Sequence, residues 1–212
     1  MTHTLHRLGS LETLRKDFVI MAMTAKGFNE EGSIPKLKAY FEIILKHNPV
    51  NYGEVMAGSR SITSVSKIMD SFNISSVPHG VFTTAKQVED VLKDLKKADL
   101  GLSIVVSGVR SEVEKCCRNA GLRPHTVEHS LGIWGKKEKL PRRKILEITN
   151  MCGHSMISPR LAEREIGEVS SKKKKPEEAV EVLSRCCRCS IFNPERAVVL
   201  VKEMVGEKSS AE

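Results

Sequence analysis

Residues Asp17–Ala25 read DFVIMAMTA, and from Phe18 to Met23 no polar residue interrupts the run. Side chains of a β-strand alternate between its two sides, so a short unbroken apolar run is the pattern of a strand buried on both faces. Beyond Ala25 the apolar pattern switches to helical spacing. Gly27–Ser33 reads as a turn, and Ser33-Ile34-Pro35 starts a helix through about His47 with Leu37, Tyr40, Phe41, Ile44 and Leu45 on one face. Asn48-Pro49 closes it, and a weaker helix is expected over Ser61–Phe72.

Next come two β–α steps. Ile74–Thr83 is an expected strand that Pro78 demotes toward an edge. Thr84 caps a helix over Ala85–Lys97 with the stripe Val88, Val91, Leu92 and Leu95. Leu100–Ser107 is a second buried strand, and a helix over Ser111–Ala120 ends at Gly121 as a C′ residue. Pro124–Trp134 alternates as a third strand. This order predicts an α/β fold, or α+β of the ferredoxin-like kind, with helices packed on a sheet.

Lys136–Lys144 is basic and contains Pro141, and it is read as a hinge. The expected division is an α/β domain over 1–136 and an all-helical metal-binding module over 137–212. The module's helices are predicted at Arg142–Asn150, Pro159–Val169, Pro176–Cys186 and Pro194–Val205, three of them with Pro at N1.

The metal assignment rests on two chelating pairs in that module, Cys152-Gly153-His154 and Cys187-Arg188-Cys189. Residues two apart diverge on a helix but point the same way in a turn. Both pairs precede helix starts, Ser158-Pro159 and Asn193-Pro194, so both are expected in turns. Four such donors suit a tetrahedral Zn²⁺ or a thiolate-held cluster. One-residue spacings are unusual for zinc modules, which usually separate ligands by two to four residues, and this favours a 4Fe-4S-like iron–sulfur cluster. Cys152, Cys187 and Cys189 are its expected ligands, with His154 or substrate at the fourth position. Arg185 and Arg188 are expected to lower the thiol pKa values. Cys186 is a possible substitute ligand, although a core-facing role fits it better, and Cys116-Cys117 reads as core packing.

Histidines supply the remaining candidates. His125 and His129 lie on the apolar face of the expected third strand, about 13 Å apart, too far to share an ion. They are the candidates for a proton-shuttling catalytic role, together with His154. His79 is a candidate for a pocket, while His3 and His6 belong to an N-terminal stretch. Gly108-Val109-Arg110 could hold an anion at a helix start, a weak signal in any β–α unit.

Six Cys in a chain of 212 residues, with no apolar leader after Met1 and no membrane-length apolar run, read as a cytoplasmic metal or redox protein. The first expectation is an iron–sulfur protein of electron transfer or anaerobic redox metabolism, an oxidoreductase if it is an enzyme, with a redox partner protein or small-molecule substrate. The net charge of +8 supports an alternative. That alternative is a zinc-stabilised module docking on nucleic acid or an acidic protein through Lys136–Lys144 and Lys172–Lys175. Aromatics at 4% leave little material for a stacking platform.

Overall fold

The apolar run forms β1, Phe18–Met23, in the computed structural model, which describes residues 4–209. His3 lies outside the described residues. The other strands are β2 (Asn51–Glu54), β3 (Gly58–Ser59), β4 (His79–Phe82) and β5 (Ser103–Ser107). They form one antiparallel sheet in the order β3-β2-β4-β1-β5. The helices are α1 (Leu11–Leu14), α2 (Ser33–Lys46), α3 (Val65–Asp70), α4 (Ala85–Ala98), α5 (Arg110–Asn119), α6 (Arg143–Thr149), α7 (Pro159–Ser170), α8 (Pro176–Cys186) and α9 (Pro194–Ser209). With the two-residue β3 and the six-residue α3 set aside, the connectivity from β1 to β5 is β-α-β-β-α-β. Among the expected arrangements this matches the ferredoxin-like order.

β1 carries the two cores of the molecule. Phe18, Ile20 and Ala22 face a core filled by Leu37, Tyr40, Phe41 and Ile44 of α2, Val88, Val91, Leu92 and Leu95 of α4, and Cys116 and Cys117 of α5. Val19 and Met21 face the opposite way and join Val81 of β4 in a second core with α6, α7, α8 and α9. The sheet is therefore a wall shared by two helical layers, a mixed α/β architecture with a helical C-terminal part.

Four details depart from expectation. The hairpin of β2 and β3 has almost no apolar signal. It is held instead by the buried carboxylate of Glu54, which accepts from the backbone N–H of Met56 at 2.7 Å and Ala57 at 2.8 Å. β4 is an interior strand, because Pro78 lies just before it and only its carbonyl is used, accepting from Ala22 N at 3.1 Å. β5, expected to be buried, is a half-buried edge strand. Pro124–Trp134 is no strand at all: it is irregular and largely exposed, joining α5 of one layer to α6 of the other. Its alternating apolar residues meet no partner strand.

Candidate metal centre

Each chelating pair sits in a turn at the end of a helix. After α6, Cys152 N donates to Thr149 O at 3.2 Å and Ser155 N to Cys152 O at 3.0 Å. After α8, Cys187 N donates to Ser184 O at 3.0 Å and Ser190 N to Cys187 O at 3.0 Å. Ser155 and Ser190 close the two turns in the left-handed region, at φ +56° and +64°. The sequence thus contains a short repeat, Cys-x-His-Ser and Cys-x-Cys-Ser, in which the same backbone turn presents two donors side by side. A non-glycine residue at such a φ is disfavoured and is kept only where its surroundings enforce it.

The two turns meet. Cys187 Sγ lies 3.7 Å from Cys189 Sγ, and Cys189 Sγ lies 3.4 Å from His154 Nδ1. Cys152 is near enough to Cys187 for each thiol to shift the other. All three thiols are buried, whereas His154, in contact with Cys189, is exposed. As placed, no group of three or more His, Cys, Asp or Glu side chains among the described residues could hold a metal ion. The four donors run as a chain of contacts, Cys152 to Cys187 to Cys189 to His154, and ligation of one ion requires that chain to close.

The thiols are unequal. A hydrogen bond from Cys187 brings Cys152 down to about 6, helped by the backbone N–H groups of Met156 and His154. The same donor brings Cys189 down to about 5, helped by His79, the Ile191 N–H and His154. Cys187 stands between the two with a single S–H, and its interactions with both neighbours, together with burial, push it far up. The result is a buried pocket that favours negative sulfur, with backbone N–H groups aimed at two of the three atoms. Arg185 and Arg188, expected to do this work, are exposed, and Arg185 pairs with Glu181 at 2.6 Å. Cys187 takes the larger part expected of the arginines, with His79 and His154 adding to it at Cys189.

Three supports fix the turns to the sheet. Buried His79 of β4 faces the carbonyl of Cys189 with Nε2 and that of Val77 with Nδ1, the latter at 2.8 Å. Asn51 of β2 donates to Phe192 O at 2.9 Å. Arg7 reaches the carbonyls of both Met151 and Ile191, one beside each ligand pair, while its other arm binds Asp17 at the start of β1. Asp17 also takes Arg196 at 2.7 Å and Asn193 at 3.1 Å, and Asn193 caps α9 by accepting from Arg196 N at 3.0 Å. Arg7 and Asp17 belong to no motif in the sequence, and His79 stands out there only as a pocket candidate.

The other candidates lie apart from this cluster. Cys186 donates to Val182 O in its own helix at 3.6 Å. Cys116 and Cys117 pack in the first core, where burial pushes both thiols up. His125 and His129 are exposed on the irregular connection, not on a strand face, and His129 contacts Arg110 at 3.2 Å. His6 contacts Ser130 at 2.9 Å. At the Gly108 turn, Arg110 is engaged by Glu114 at 2.7 Å. Lys173 and Lys174 of the lysine run pair with Glu168 and with the buried Glu165.

Comparison with protein families, characterised proteins and solved structures finds no match to this chain. No helix among the described residues is long and apolar enough to cross a membrane.

Proposed function

We propose that Cys152, His154, Cys187 and Cys189 hold a single tetrahedral ion of the zinc type, which locks the C-terminal helical layer onto the sheet. The spacing of the donors carries this reading. Ligands on one tetrahedral zinc, with bonds of about 2.3 Å to sulfur and about 2.0–2.1 Å to nitrogen, stand about 3.8 Å apart for two sulfurs and about 3.6 Å for sulfur and nitrogen. The separations of 3.7 and 3.4 Å lie close to these values. Buried sulfurs that favour the thiolate form need a compensating cation, and closed four-ligand sites of this composition are structural. Cys152 and His154 would come from the turn after α6, Cys187 and Cys189 from the turn after α8. The ion would join them as Arg7 already does on the backbone side.

A second reading is an iron–sulfur cluster on Cys152, Cys187 and Cys189 with an exchangeable fourth position at His154. It is favoured by the N–H groups of residues 154, 156 and 191 directed at sulfur, since such bonds tune cluster potentials. It would make the protein a redox protein with a partner protein or small substrate. Ligands of a four-iron cluster sit on different irons, however, and would have to be forced further apart than these sulfurs are.

Cobalt(II) titration of the chelated protein tests the first reading. Intense visible bands of a tetrahedral thiolate complex, saturating at one cobalt per chain and lost in Cys189→Ser, are the expected result. Only weak bands of hydrated cobalt would overturn it.

A further inference from the structure

The connection between α5 and α6 is too long and too exposed to be a mere link. Most connections in compact domains are only a few residues long, and longer irregular ones usually carry function. Between Asn119 and Arg143 the only regular element is a 3₁₀ turn at Lys137–Lys139. Residues 123–144 contain seven basic side chains, Arg123, Lys136, Lys137, Lys139, Arg142, Arg143 and Lys144, against Glu128 and Glu138. Most of the chain's net charge of +8 is therefore concentrated here.

The same segment exposes its apolar residues. Leu131 is 82% exposed and Trp134, the single tryptophan, 80%. This exposure is built rather than frayed. Ser130 Oγ meets His6 Nδ1 at 2.9 Å and accepts from Gly132 N at 3.1 Å, while Arg110 of α5 reaches His129. Gly132 and Gly135 turn the chain at φ +83° and +88°, a region open to glycine. Trp134 donates its indole N–H to Leu131 O at 2.8 Å, so its polar edge is satisfied within the segment. At the start of the segment, Arg110, Arg118 and Arg123 line a cleft of about 410 Å³ with Glu114, Leu122 and Val127.

We propose that residues 123–144 and the adjoining arginine-lined cleft bind single-stranded nucleic acid, with Trp134 stacking on a base and the basic side chains on the phosphates. Arg118 and Arg123 at the cleft suit phosphodiester oxygens, which they can bind with paired donors, while Arg110 is engaged by Glu114. An exposed indole needs an unstacked base, which a duplex does not offer. The segment forms no amphipathic helix that would lie on a lipid surface. One tryptophan makes a short contact that tolerates any base. The lysine run at 172–175 carries no exposed aromatic, and Lys173 and Lys174 there pair with carboxylates as Arg110, Arg142 and Arg143 do here. This inference does not depend on the metal centre.

The single tryptophan supplies the test. The 212-residue protein as purified is titrated with oligouridylate and with oligothymidylate while indole fluorescence is followed. Saturable quenching is expected, and the tighter of the two arms identifies RNA or DNA. Affinity should fall about 100-fold between about 50 and about 200 mM salt if about five phosphates are contacted. Trp134→Ala should weaken binding, read by anisotropy of a labelled strand, by roughly 5-fold to 150-fold. The triple variant Lys136→Glu, Lys137→Glu, Lys139→Glu should reduce the log–log salt slope by about 2. Unchanged metal content and circular dichroism in these variants keep the two readings separate. The proposal is overturned by no quenching at the lowest salt, by equal quenching with polyglutamate, anionic vesicles or duplex, or by binding that Trp134→Ala leaves intact.

Discussion

The two helical layers on the sheet are held by different means. The first is an ordinary apolar core: Phe41 meets Tyr52 and Phe72 edge-on at ring separations of 5.9 and 5.5 Å, and Ile20, Leu37 and Val88 fill the space around them. The second has apolar residues too, but it also buries three thiols, Asp17 with Arg7 and Arg196, His79, and the carboxylate of Glu165. Burying polar groups costs free energy unless each finds a partner. Aliphatic packing can stand alone, whereas a thiolate pocket needs something to complete it. On the proposed reading, the first layer folds on its apolar packing alone, while the second is completed by an ion.

That contrast breaks most visibly at Cys187. In Cys187→Ser the bound metal should drop from one per chain to nearly none. The loss of stability should be on the order of 5 kcal/mol or more, because the unfolded chain does not hold the ion. Hydrogen exchange should place the loss in α6 to α9 and spare α2 and α4. Opening both layers equally would show that they are not independent in this way.

Phe41→Ala makes the converse change. It should cost about 3–5 kcal/mol through the cavity it leaves, with metal content unchanged, as denaturant titration and metal analysis would record. Arg7→Met comes next. Breaking a buried pair usually costs roughly 3–5 kcal/mol, and Arg196 still compensates Asp17, so about 2 kcal/mol is expected. Because Arg7 ties Met151 to Ile191, this variant should also release metal to a chelator faster than the parent protein.

A further effect is a pH dependence of the metal-free protein. Cys152 and Cys189 lie at about 6 and about 5, below their ordinary value of 9.0, through the hydrogen bond from Cys187. Their contribution to stability is present above pH 9 and is lost as pH falls through those values. Cys187, pushed up, contributes fully below pH 9 and loses that contribution only in alkali. Urea midpoints of chelated protein should therefore rise from pH 5 toward pH 9. A flat profile would contradict the thiol assignments.

Where one local rule sufficed, the sequence could be read. Pro159, Pro176 and Pro194 each begin a helix, Thr84 caps α4, and Gly121 at φ +65° ends α5. The two donor turns were legible because the helix starts at Pro159 and Pro194 follow the pairs closely and place them in turns. The hairpin was not, since Glu54 holds it through its side chain and no periodicity records that. Pro124–Trp134 misled for the opposite reason: Val127, Leu131 and Ile133 alternate, but alternation makes a strand only where a neighbour supplies hydrogen bonds. Arg7 was beyond reach, because the carbonyls it joins lie 144 and 184 residues away along the chain.

The most direct test of the central claim is the metal content and absorption spectrum of protein purified without oxygen. One zinc per chain, no visible absorption, and loss of that zinc in Cys187→Ser are the predicted result. Folded protein carrying no metal would contradict the claim outright, and a brown protein with iron and sulfide would replace the single ion by a cluster.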